Sequence, residues 1–175
     1  IDRHVEGSYL GMSGREKGLK KLMAINLLKR LESSVNSFRL TVDRMKSQID
    51  DTVKAIDRFM ENRQNAILDV QTLESMLDGD DSENDFLVGG KKTKVALADM
   101  DCRSWRRDLK ADQEILGLLL VMLKDITPKH DSKLQMLIEN LREKFAHPIN
   151  WENRKVLVFT AFSDTAEYLY NNLAP

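Results

Sequence analysis

From Leu27 onward, apolar residues return every three or four positions: Leu31, Val35, Phe38, Val42, Met45, Ile49, Val53, Ile56 and Met60. This is the spacing of one face of an α-helix, near 3.6 residues per turn. No Pro or Gly breaks the stripe, so one long helix or two nearly continuous ones is predicted over most of residues 15 to 62. Ser33 and Ser34 mark a local bend, because short hydroxyl side chains compete for backbone hydrogen bonds. A second helical run, with Ile67, Val70, Leu73, Met76 and Leu77, ends where Asp78 and Gly79 open an acidic, glycine-containing stretch. That stretch, about 78–94, buries too little apolar surface to offset its ordering entropy and is expected to be a mobile loop.

Order is expected to resume near Ala98. Trp105 to Ile126 reads as a helix whose apolar face widens toward its end, and Thr127 and Pro128 stop it. The next helix opens at Asp131 or Ser132 and carries Leu134, Leu137, Ile138, Leu141 and Phe145 on one face. Val156 to Phe159 then break the pattern: four apolar residues with a charge before and a polar residue after predict a strand buried on both faces. Ser163 or Asp164 caps a last short helix with Ala166, Leu169, Tyr170 and Leu173. Strand, tight turn and helix make half of a βαβ unit. A parallel strand needs sisters, and no second convincing strand is read elsewhere in the 175 residues, so its sheet is expected outside them.

Composition narrows the setting. The chain is 42% apolar, ordinary for a globular protein, and has no apolar run of the roughly 18 to 20 residues that a membrane span needs. With no signal-like start and a single cysteine, Cys102, a reducing, cytoplasmic location is expected. Ile1 in place of Met, and an end just past an expected helix, predict a piece of a longer protein. The net charge of −1 hides an asymmetry: residues 15 to 46 hold nine Lys and Arg against three acids, and residues 47 to 87 hold three against eleven. A basic stretch of this kind binds phosphates or pairs with an acidic neighbour in its own chain.

Three stretches carry a family likeness. DSKLQMLIENL at 131–141, followed by KVLVFTAFSDTAEYLYNNL at 155–173, resembles the opening of the second RecA-like lobe in Swi/Snf-related helicases, where the strand ends in helicase motif IV. LLKRLESSVNSFR at 27–39 is similar to the connector helix between the lobes in bacterial members. The resemblance implies a mostly α fold: long helices in a hairpin or bundle, then the first β-strand and helix of a RecA-like α/β lobe. Residues 1–128 would form the inter-lobe helical region and 129–175 the start of the helicase C-terminal lobe. It also implies a parent ATP-dependent DNA translocase that binds ATP and Mg²⁺, with DNA, the first lobe and the rest of the second lobe as partners, and no membrane.

The family's motif IV region lies against the nucleic-acid backbone, which carries a nucleic-acid-binding role over to Thr160, Phe162 and Ser163. On the connector helix, Lys29, Arg30 and Arg39 are the candidates to face DNA or the missing lobe. Each has a plainer reading: Thr160 bonding its own turn, Phe162 in the core, the three bases solvated. The chain itself is expected to bind no cofactor and to hydrolyse nothing. GGKKT at 89–93 only imitates a phosphate loop: Asp85 replaces the first glycine and Lys92 follows the Gly90-Lys91 pair. No magnesium-binding acidic box or arginine finger is present, so phosphoryl transfer lacks its machinery. The acidic stretch from Asp78 fails as a calcium loop, with Glu83 where glycine is needed and Gly89 where glutamate is needed. His130, Asp131 and Ser132 fit helix capping better than a triad, and Cys102, despite Arg103, Arg106 and Arg107 nearby, has no partner base. The alternative from another class is a helical interaction module that self-associates through the Leu27–Met60 stripe as a coiled coil.

Overall fold

The computed structural model describes residues 12–62, 67–70, 93–150 and 153–173. The architecture is mostly helical: α1 (Met12–Ser33), α2 (Val35–Asn62), β1 (Ile67–Val70), β2 (Thr93–Ala96), α3 (Cys102–Lys124), α4 (Ser132–Ala146) and α5 (Ser163–Leu173). Of the one long helix or two nearly continuous ones predicted, the chain forms two, interrupted at Ser34. The Ser34 amide still donates to the Arg30 carbonyl at 2.9 Å, and the Phe38 amide to the Ser34 carbonyl at 3.2 Å. The Ser37 amide donates instead to the Ser34 hydroxyl at 3.0 Å. Ser34 thus closes one helix and caps the next, which is what a hydroxyl at this position favours.

Helices α2 and α3 run antiparallel as a hairpin. Arg106 Nε donates to Asp57, Gln113 Nε2 donates to Asp50 Oδ1 at 2.6 Å, and Gly117 lies against the stem of Lys46. Each step forward along α3 meets a step back along α2. On the apolar stripe read from the sequence, Val42, Val53 and Ile56 are buried. At the end where α2 finishes and α3 begins, Ile56 packs with Leu97 and Cys102, flanked by Phe59, Trp105 and Leu109. The Cys102 thiol donates to the Leu97 carbonyl at 3.1 Å, the satisfied position of a structural thiol. Full burial of an Ile side chain stabilises by about 1.5–3 kcal/mol, so this end cluster fixes the hairpin.

The caps follow the local sequence. Asp101 Oδ1 accepts from the Ser104 amide at 3.1 Å at the start of α3, and those helix amides hold its carboxyl below the usual range. Asp131 Oδ1 accepts from the Leu134 amide at 3.0 Å at the start of α4. Thr127 and Pro128 end α3 as predicted, with a 3-10 turn at Pro128–His130. His130 Nδ1 lies 2.9 Å from the Asp125 carbonyl, so His130 and Asp131 both serve the capping expected of them.

Three expectations are corrected. Ile67–Val70 is a strand where helix was predicted, and it pairs antiparallel with Thr93–Ala96, Ile67 opposite Ala96 and Val70 opposite Thr93. Helical spacing in so short an apolar run does not separate the two states, and β-branched Ile67, Val70, Thr93 and Val95 favour the extended one. Val156–Phe159, predicted as a buried strand, belongs to no regular element and to no sheet ladder among the described residues. Leu157 is 83% exposed and Phe159 is 90% exposed. A strand is defined by its neighbours, and the small β1–β2 sheet does not reach this segment. Third, Asp164 lies inside the first turn of α5 and turns toward α1 and α2, so it does not cap the helix. The expected acidic loop falls outside the described residues over 78–92, and its last two positions belong to β2. Among the described residues no helix is long and apolar enough to cross a membrane.

Candidate functional site

The segment Thr160–Thr165 leads into α5 and meets the chain at the Ser34 interruption. Arg30, on the last turn of α1, is only 1% exposed. Its Nη1 donates to Asp164 Oδ2 at 3.3 Å and to the Ser37 hydroxyl at 3.5 Å, and the guanidinium sits 4.6 Å from the centre of the Phe162 ring. From α2, Arg44 grips both carboxylate oxygens of Asp164, Nη1 to Oδ2 at 3.1 Å and Nη2 to Oδ1 at 3.0 Å. The hydroxyl of Thr165 lies 2.9 Å from that of Ser33 and 3.2 Å from that of Ser34. A buried charge is tolerated only when paired and hydrogen-bonded, and Arg30 meets both conditions.

The sequence-predicted residues divide around this junction. Thr160, Ser163, Lys29 and Arg39 are exposed. Arg30 and Phe162 are interior. Arg30 is thereby removed from the set that can touch a phosphate directly, because its guanidinium is spent on Asp164 and the Phe162 ring. Phe162 is likewise closed to base stacking by its own burial. Thr160 bonds its own turn: its hydroxyl accepts from the Phe162 amide at 3.3 Å. Arg39 donates to Asn36 on its own helix at 2.9 Å and leaves the rest of its guanidinium to the surface.

Beside the junction, a cleft of about 470 Å³ runs between Ser33 and Ser34, the α4 residues Leu134 and Leu137, and the segment Val158–Thr160. Tyr168 lines it too, donating its hydroxyl to Asp131 Oδ2 at 3.0 Å. Burial, and then the Asp131 carboxylate, push the Tyr168 phenol up from 10.0 to about 12, against a smaller opposite pull from Arg39. Because the folded value is raised, the stability supplied by neutral Tyr168 is fully present below pH 10.0 and is lost as pH climbs toward about 12. Thermal unfolding across that interval should therefore fall more steeply for the native chain than for Tyr168→Phe; parallel curves would contradict the assignment.

Asp164, Arg44, Ser33, Ser34, Ser37 and Thr165 are members of the site that sequence reasoning assigned no binding or positioning role. Ser34 was legible only as a bend and Asp164 only as a cap. Nothing local announces that residues 134 positions apart form an ion pair. Among the described residues no group of three or more His, Cys, Asp or Glu is placed to hold a metal ion. The hydroxyls, amides and exposed bases of the site can bind an anion's oxygens; they include no nucleophile with a base beside it. Comparison with protein-family profiles, curated proteins and solved structures finds no match to this chain.

Proposed function

We propose that the chain is the inter-lobe helical region and the opening of the second lobe of a DNA-dependent ATPase of the Swi/Snf-related kind. In that reading it acts mechanically and contacts DNA without chemistry of its own. The parent protein supplies the ATP and Mg²⁺ sites and couples hydrolysis to movement along duplex DNA. The observation that carries the proposal is the state of Val156–Phe159: an apolar, β-rich run, exposed at Leu157 and Phe159, with no sheet partner among the described residues and a helix that begins at Ser163. Such a run gains stability only by being covered, and a central strand of a parallel sheet is covered on both faces. Thr160 and Ser163 then fall at the strand's end, where hydroxyls and amides reach phosphate. Lys29 and Arg39 add exposed positive charge from α1 and α2.

The coiled-coil reading draws on the Leu27–Met60 stripe, of which Ile56 packs on Leu97 and Cys102 of the same chain while Leu31 and Met60 stay exposed. The motor reading is tested on a chain extended through the flanking coding sequence. ATP hydrolysis that rises when duplex DNA is added, with none from the 175-residue chain alone, is the expected result. An extended chain whose ATPase ignores DNA, or that has no ATPase, would overturn it.

A further inference from the structure

We infer that Arg30 and Arg44 are positioning residues that jointly aim the segment Thr160–Ser163, holding it through Asp164 from helices on either side of Ser34. Asp164 is the second residue of α5, directly after the segment, so wherever its carboxylate is fixed the segment follows. Arg30 holds the carboxylate from α1 and Arg44 from α2, and between them they place three hydrogen bonds on its two oxygens. The paired contact from Arg44 fixes direction as well as distance, because a guanidinium fork and a carboxylate are both planar. Arg30 adds a second point of attachment on the segment itself, the face of the Phe162 ring. The hydroxyls of Ser33 and Ser34 on Thr165 fix the next residue of α5 to the same place. Among the described residues, the side-chain bonds that hold the first turn of α5 in this junction come from residues 30–44. That the aimed segment touches phosphate rests on the function proposed above; that the two arginines aim it does not.

Arg44 is 48% exposed, so Arg44→Gln removes one arm without opening the core. Asp164→Asn keeps the shape and removes the shared charge. Amide hydrogen exchange in the 175-residue chain reads the aim directly, with no DNA present. In each variant exchange at residues 160–168 should rise about three- to tenfold while α2 and α3 hold their native rates. The double variant should exchange little faster than Asp164→Asn alone, since both changes cut one clamp. Native exchange at 160–168 in Arg44→Gln, additive effects in the double variant, or an equal rise in every helix would each overturn the inference. In the extended chain Arg44→Gln should also lower the DNA-stimulated ATPase. If exchange behaves as expected but DNA never stimulates the extended chain, the clamp stands and the motor reading falls.

Discussion

Replacing Arg30 by alanine is expected to destabilise the chain by about 3 kcal/mol, the lower end of the range for breaking a buried ion pair from one side. The change empties the space beneath the Phe162 ring, removes the donor to Ser37 and leaves Asp164 with Arg44 alone. The remaining arm keeps Asp164 neutralised, which is why the cost stays at the lower end. Arg44→Ala, at a half-exposed position, should cost under about 1 kcal/mol because water and salt screen that arm. Urea unfolding of both variants checks the contrast. Equal costs would mean that burial of Arg30 does not strengthen its pairing.

An effect of similar size is expected in the apolar end of the hairpin. Ile56 is fully buried against Leu97 and Cys102, with Phe59, Trp105 and Leu109 around it. Ile56→Ala should lower stability by roughly 2–5 kcal/mol, from lost transfer energy and from the cavity that the surrounding rings cannot fill. Ile115, on the outer face of α3, is the control: it is exposed, and its truncation should fall within about 0.5 kcal/mol. Should the two truncations cost the same in denaturant, the hairpin does not close over Ile56.

Helices were legible wherever burial follows local period. The α2 stripe pointed to positions that are buried, Val42, Val53 and Ile56 among them, and Asp131 was one of the two residues expected to cap α4. Thr127-Pro128 ended α3 on schedule because proline's constraint is local. What failed to read was whatever depends on a distant partner. Ile67–Val70 becomes a strand only because Thr93–Ala96 lies beside it. Val156–Phe159 has the composition of a strand and no ladder among the described residues, since composition supplies propensity and only neighbours supply hydrogen bonds. Arg30 looked like one surface base among several; its burial follows from Asp164 and Phe162, far along the chain. The charge imbalance was partly informative. Acids of the 47–87 stretch do meet bases, as Asp57 meets Arg106 and Asp50 meets Lys46, yet Arg30 and Arg44 pass over that stretch for a carboxylate near the C-terminus.

The bare run at Val156–Phe159 also bears on how copies of this chain behave toward one another. Four apolar residues with no proline and no charge among them are a template for intermolecular β-pairing. Arg154 and Lys155 stand exposed immediately before them. In-register stacking would bring like charges from successive copies side by side, so this basic pair opposes such stacking.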